Sequence, residues 1–410
     1  MKKYIICLFA SCLLSCCVGN VFATVNNVKY KPGFDKYVTF FQNQKTNPFD
    51  YIMHLFDKHD VVIIAERDHR ETTQWDFIYN LVGDQRFFSR VNNIFIEYGS
   101  VSNQDDMDVF LSSPTLDKTK ALNLMRNQPI WPEGRNNNNF YNFLLKFYYV
   151  NSRLSAEQKI HLNQSDIPWQ WKNMTKKFYR SYMEYEDEQG QMQMSPDAYS
   201  RDRRMALRIY QKYQELNKSS GKTTKILVIM NSRHGRGFME ALEKPPYAFI
   251  GQNLGGCLIK WFGKDKVANI LLNDYSNDRD GNPAAYEDGK WDAAYAVAGN
   301  YPVGFDLKDT PVGEDYFSKA MNIKYQDIFT GMIFFKPLTE QMLDNDITGF
   351  YSEDFKNIVK TRALLIGEQY WQDIKNSWQD REMHPEKYGY RKLINEPGFD
   401  KVLQQILQWL

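Results

Sequence analysis

The sequence predicts an α/β fold with a mostly parallel central sheet flanked by helices. Three observations predict it. Four consecutive branched apolar residues, Val61-Val62-Ile63-Ile64, run into Ala65-Glu66-Arg67-Asp68-His69 and then into a helical stretch over residues 71–81. A second run, Ile94-Phe95-Ile96, ends in Glu97-Tyr98-Gly99. A third, Ile226-Leu227-Val228-Ile229-Met230, ends in Asn231-Ser232-Arg233-His234-Gly235-Arg236-Gly237. Short unbroken apolar runs suit strands covered on both faces, the usual state of parallel sheets. The strand, helix, strand order over 61–97 is a βαβ unit, whose strands end on one edge. Ligands bind outside that edge, so the polar residues there are the candidates for chemistry.

The elements follow in order. Lys2-Lys3 precede an apolar run over 4–14, too short to span a membrane and of the length of a secretory signal. The chain is therefore expected to be exported, with a signal peptide over 1–23. Leu13-Leu14-Ser15-Cys16 reads as a lipobox that would lipidate Cys16 and give an outer-membrane lipoprotein. Val21-Phe22-Ala23 before Thr24 reads as an ordinary cleavage site that would give a soluble periplasmic or secreted protein. Cys7, Cys12, Cys16 and Cys17 lie in or beside this segment, leaving Cys257 as a small core residue and no internal disulfide. The membrane is then reached only through a lipid.

Apolar residues at helical spacing predict helices over 34–41 and 49–56, leading into the first strand at 61 and the second at 93–98. A helical, polar insertion over about 100–155 carries an aromatic face, Phe140, Tyr141, Phe143, Phe147 and Tyr148, and is placed over the cleft mouth. The asparagines at 136–139 read as a loop and helix start. The third strand, 159–164, ends in Ser165-Asp166. Amphipathic helices follow over 172–188 and 197–216, the second opening with Arg201-Asp202-Arg203-Arg204, a run that suits a solvated face. After the fourth strand at 225–230, further strands are expected at 247–250 and 267–273 around a helix over 251–262. Asp278, Asp280, Gly281 and Glu287 fall near calcium-loop spacing. Ser276 at the first position, Pro283 in the later half and the lack of flanking helices instead favour a surface loop. The last strand is expected at 331–335, a helix at 355–371, and a final helix with Phe399, Val402, Leu403, Ile406, Leu407 and Leu410 on one stripe. The expected organisation is an α/β domain over 24–345 and a C-terminal helical region over 346–410 packed on the same core.

Composition narrows the function. Lys plus Arg number 51 against 50 Asp plus Glu, and a net charge of +1 offers no electrostatic footprint for nucleic acid. With 26 Tyr and 27 Phe the chain can line a small-molecule cleft as well as fill a core. Of six histidines, His69 and His234 directly follow buried strands. Glu66, His69, Glu97 and His234, with Asp166 as a fifth member, are expected to converge on one sheet edge. Such a set can do acid–base hydrolysis, one imidazole taking a proton from water while a carboxylate orients it and the other imidazole protonates the leaving group. It can instead hold a divalent metal at His69, His234, Glu66 and Glu97, assembled from separate strands because the two-His, one-Glu helix motif is absent. It can also be a set of hydrogen-bonded pairs with no chemistry. A serine hydrolase is excluded by the lack of a Gly-x-Ser-x-Gly elbow, and a cysteine nucleophile by the lack of a base beside Cys257.

Ala65-Glu66-Arg67-Asp68-His69 resembles the Gly-Glu-x-x-His opening of the erythromycin esterase superfamily, which includes the ChaN-type haem-binding lipoproteins and the TIKI and TraB proteins. Phe95-Ile96-Glu97, the strand over 163–166 ending in Asp166, Arg201-Asp202 with Met205-Ala206, the strand delivering His234, and Gly251-x-x-Leu254 are similar to further motifs of that family, in the same order. The resemblance covers residues 60–337. It implies that Glu66, His69, Glu97 and His234 are the active-site residues, supported by Asp166, Arg201 and Asp202. It also implies either hydrolysis of an ester, lactone or amide, metal-dependent in some relatives, or haem or iron binding at the cell envelope through the histidines or Tyr98. Ala65 departs from the family's glycine, which puts the esterases' own substrate in question.

Overall fold

The structure is a computed structural model that describes residues 31–182, 184–186, 192–194, 201–221, 223–237, 253–277 and 282–410. The signal segment with Cys16, the strand expected at 247–250, Gly251, and Asp278, Asp280 and Gly281 lie outside these residues. The chain divides into two compact units.

The larger unit, Gln44–Asp274 with Pro302–Pro397, is built on a seven-stranded sheet. Its strands are β1 Val61–Glu66, β2 Val91–Ser100, β3 His161–Asp166, β4 Lys225–Asn231, β5 Val267–Leu272, β6 Val303–Asp306 and β7 Gly331–Phe334, in the order β6-β7-β5-β1-β4-β2-β3. All neighbours are parallel except β6 and β7. The α/β architecture is thus as expected. Strand β4 lies between β1 and β2, so the strands of the first βαβ unit are parallel without touching. Strand β6 is the one sheet strand the sequence pattern does not announce. It is a short edge strand whose Gly304 has no room for a side chain, since a Cβ there would stand 2.6 Å from Tyr51.

Alternate residues of each strand face opposite cores, which explains the unbroken apolar runs. Val62, Ile64, Ile94, Ile96, Leu227 and Ile229 join a large core with helices α1 Pro48–Lys58, α2 Thr72–Gly83, α3 Gln104–Ser112, α4 Lys118–Arg126 and α5 Asn138–Ser152. Val61, Ile63, Phe95, Val228 and Met230 join a smaller one with α6 Arg201–Ser220, through Met205, Ala206 and Ile209, and with α8 Leu254–Phe262 through Leu254 and Leu258. Between α6 and α8 the turn after β4 forms a single helical turn, α7 Ser232–Gly235. Phe140, Phe143 and Phe147 of the insertion are buried in the large core, so its aromatic face is chiefly packing.

Two helix expectations need correction. Within 172–188 a helix covers only Lys176–Tyr182, and Glu184–Glu186 then pairs antiparallel with Met192–Met194, as the alternating sequences of both stretches allow. The single helix expected at 355–371 is two, α9 Glu353–Ala363 and α10 Glu368–Met383, because Gly367 between them is extended (φ 172).

The smaller unit takes the described residues of Met1–Asn43 with Tyr275–Tyr301 and Gly398–Leu410. It holds helices Asp35–Asn43, Lys290–Val297 and Phe399–Leu407 and a hairpin of Tyr275–Asn277 with Pro283–Ala285 in the polar stretch expected to be a loop. Phe41 packs edge-on against Tyr295, and Phe34 stacks on Trp409. Among the described residues no helix is long and apolar enough to cross a membrane.

Candidate functional site

The sheet brings the predicted residues to its C-terminal edge, where parity along the strands sorts them into two groups. Glu66 ends β1 on the side of Val62 and Ile64, whereas Glu97 in β2 follows Phe95 onto the side that carries α6. Arg201 and Asp202, in the first turn of α6, therefore meet Glu97 and His234.

In the first group His69 Nδ1 is 2.8 Å from Glu66 Oε1; the carboxylate is buried and the imidazole keeps 18% of its surface exposed. Glu66 Oε2 is buried without a hydrogen-bond partner among the described residues. Burial pushes the Glu66 carboxyl up, against the opposing pull of His69. No hydrogen bond reaches His69 Nε2 among the described residues, so the nitrogen opposite Glu66 is the one open to a ligand. The loop that carries His69 is pinned. Gln74 accepts from Arg67 N and donates to Asp68 O, Asn139 donates to His69 O, and Arg67 turns away to Asp274 and Leu272 O.

In the second group five charges alternate in sign. Arg201 grips Asp166 with two hydrogen bonds, Nε to Oδ1 at 2.8 Å and Nη2 to Oδ2 at 2.6 Å, and reaches Glu97 Oε1 at 3.3 Å. Glu97 Oε1 lies 3.5 Å from His234 Nε2, and His234 Nδ1 is 2.8 Å from both oxygens of Asp202, whose Oδ2 also accepts from Leu254 N at the start of α8. Burial alone would raise the Glu97 and Asp202 carboxyls; the charges of His234 and Arg201 outweigh it, holding Glu97 well below the usual range and Asp202 below it too. For His234 burial opposes protonation, but Asp202 and Glu97 push the imidazole up to about 9. Arg233 Nε lies 3.2 Å from the same Nε2, and beside a protonated ring that contact is between two cations and not a hydrogen bond.

The turn that presents His234 is set by its glycine. A Cβ on Gly235 would stand 3.2 Å from Ala65 Cβ and 3.3 Å from Ile63 Cγ2, so the close approach expected of this glycine is to β1 itself. Ala65 is an ordinary strand residue, and its small side chain is what α7 packs on. The Asn231 side chain ties the two groups, donating from Nδ2 to Arg67 O while its backbone N donates to Glu97 Oε2.

The structure thus gathers all seven predicted residues, but not as one ligand sphere. Among the described residues no group of three or more His, Cys, Asp or Glu is placed to hold a metal ion. Glu97 is committed to Arg201 and His234, and His234 to Asp202, so the four donors expected for a metal face one another in pairs. For haem, His234 has carboxylates at both ring nitrogens, and Tyr98 is buried, stacked on Phe140 at 4.0 Å with Asn137 donating to its hydroxyl. His69 Nε2, with no hydrogen-bond partner among the described residues, is the nitrogen that would hold a haem iron if one bound here.

Two cavities share Trp131 and Arg135 beside the second group. The inner one, about 10 Å³, is lined by Glu97, Tyr98, Trp131, Arg135, Asp166 and Arg201 and has room for roughly one water. The outer bowl, about 200 Å³, adds Arg70, Arg381 and Arg391 among others. Arg135 and Asn139 are the site residues the sequence reading passed over. Asn139 sits in the 136–139 stretch read as a loop and helix start; Arg135 stands just before it, in Trp131-Pro132-Glu133-Gly134-Arg135, where an aromatic and a charge around a glycine turn were the available signal.

No protein-family model and no curated protein sequence matches the chain. Its backbone is similar to three solved structures. A protein from Bacillus cereus is 10% identical, with a TM-score of 0.45, over 74% of this chain and 97% of its own. The type III effector HopBA1 is 11% identical, with a TM-score of 0.32, over 62% of this chain and 93% of its own. ChaN of Campylobacter jejuni, solved with cofacially bound haem, is 13% identical, with a TM-score of 0.32, over 58% of this chain and 91% of its own.

Proposed function

We propose that this protein is a hydrolase in which His69, oriented by Glu66, takes a proton from water that attacks an ester, lactone or amide carbonyl. The observation that carries the reading is the pairing of two imidazoles with carboxylates at strand ends, one with a ring nitrogen left open and the other contacted at both. His69 has one buried partner and an open Nε2, while His234 has two anionic partners and is held in its acid form. An imidazole held protonated by carboxylates at both ring nitrogens can serve as the acid, and one with a free ring nitrogen and a single orienting carboxylate as the base.

With Nδ1–H donated to Glu66, the Nε2 lone pair of His69 accepts the water proton as the oxygen–carbon bond forms. His234 gives the Nε2 proton, held only by the long contact to Glu97, to the leaving oxygen or nitrogen as its bond to carbon breaks. Solvent returns the proton from one imidazole to the other. Arg201, anchored by Asp166, fixes Glu97 and hence the direction of the His234 proton. The leader-like segment at 1–23 supports action at the cell envelope, lipid-anchored through Cys16 or soluble in the periplasm or medium.

The test is turnover of a panel of esters, lactones and amides by the purified protein and by His69→Ala, with circular dichroism to confirm folding. Turnover is expected to vanish in the variant, and full activity there would overturn the assignment. A second reading, haem binding without catalysis, is favoured by the open His69 Nε2. It predicts a Soret band on adding haemin that is lost in His69→Ala, together with no turnover of any substrate.

A further inference from the structure

Gly134 holds a tight turn against the end of α4. Its φ is +72, a Cβ there would stand 2.9 Å from Arg126 Cα and Met125 O, and the next residue, Arg135, donates its backbone N to Met125 O. This turn fixes the half-buried Arg135 side chain where the two cavities join. The guanidinium lies 4.2 Å from the centre of the Trp131 ring and 5.8 Å from that of Tyr98. It sits near enough to lower the proton affinity of Glu66 and Glu133.

The other arginines of the two cavities each have a carboxylate: Arg201 has Asp166, Arg70 has Asp68, Arg381 has Asp346 and Arg391 has Glu396. Arg135 is the exception. Among the described residues its side chain has aromatic contacts but neither a hydrogen bond nor an ion pair. A guanidinium carries five donors in a flat fork, and stacking on a tryptophan holds the plane still while leaving the edge free. Edge-on, that fork matches the two oxygens of a carboxylate or phosphate.

We infer that Arg135 is the anchor for an anionic oxygen group of the substrate, so that the molecule cleaved carries a carboxylate or phosphate a short distance from the scissile bond. The anion would sit at Arg135, where the two cavities share a wall, and the remainder of the molecule would extend into the outer bowl. The substrate class rests on the hydrolase reading; the anion site rests on the geometry alone.

The experiment has two arms. In the first, succinate and inorganic phosphate are titrated calorimetrically into the full chain and into Arg135→Gln and Arg135→Lys, each checked by thermal melting. The expected result is binding of one or both anions that weakens roughly ten- to a hundred-fold in Arg135→Gln and less in Arg135→Lys, which keeps the charge without the fork. Stronger binding of succinate would identify a carboxylate, and stronger binding of phosphate a phosphoryl group. In the second arm, para-nitrophenyl acetate is compared with mono-para-nitrophenyl succinate. The wild-type preference for the anionic ester is expected in KM and to collapse in Arg135→Gln. Anion binding lost in Arg135→Gln without turnover of either ester would sustain the anion site and count against the hydrolase. Equal anion affinity in all three proteins, or an ester preference that survives Arg135→Gln, would overturn the inference.

Discussion

Replacing Asp202 by Asn tests the electrostatics that distinguish the two imidazoles. Asp202 contributes two oxygens, both 2.8 Å from His234 Nδ1, and accepts from Leu254 N. Asparagine keeps the shape and one acceptor but removes the charge. Against an ordinary histidine near 6.5, the folded imidazole at about 9 corresponds to about 3 kcal/mol favouring the folded protein wherever His234 is charged. The folded pKa is raised, so this stabilisation is full below pH ~6.5 and is lost as pH climbs through ~9. A single opposite charge at this range is worth roughly 1–3 pKa units, so Asp202→Asn should return the imidazole most of the way to 6.5 and cost about 1.5–4 kcal/mol near pH 6. The assay is urea unfolding of both proteins from about pH 6 to pH 10, with histidine NMR titration of His234. The two stability curves should converge above pH ~9.5, where the wild-type ring is neutral. A stability difference constant across that range, or a His234 titration unmoved by the substitution, would refute the account.

Other perturbations follow from the same contacts. Arg201→Met strands Asp166 and Glu97 as buried carboxylates and should cost about 3–5 kcal/mol in denaturant unfolding. Gly235→Ala forces a methyl against Ala65 and Ile63 and should cost about 1–3 kcal/mol while lowering turnover through displacement of His234, read by melting and kinetics. Glu71 caps α2 from a buried position that pushes its carboxyl up to about 7, against the bonds from Thr73 and Gln74. A raised acid favours folding below pH ~4.5 and progressively loses that advantage through ~7, so Glu71→Gln should gain on the wild type by up to about 3 kcal/mol between those limits in pH-dependent unfolding.

Local pattern alone carried the sheet and the strand-end acids and histidines. The runs at 61–64, 94–96 and 226–230 can only be satisfied by burial on both faces, and a parallel sheet places Glu66, Glu97, Asp166 and His234 at one edge whatever the strand order. Short, glycine-bearing β6 lacks that signal, and the break at Gly367 is masked by apolar residues on both sides. The pairing of charges was legible only in part. Arg201-Asp202 reads in sequence as a solvated helix start, yet packing of α6 on the Phe95 side leaves the Arg201 side chain 11% and that of Asp202 19% exposed and turns both inward. What the sequence by itself determined is which residues stand at the reactive edge, because alternation and burial are properties of each strand. Which carboxylate serves which histidine, and that Arg135 reaches the cavity throat without a carboxylate partner among the described residues, were decided by tertiary structure alone. Glu66 and His69 are three residues apart, but His234 is 32 positions from Asp202 and Arg201 is 104 from Glu97, and Arg135 rests on a turn packed against another helix; no local pattern encodes those longer contacts.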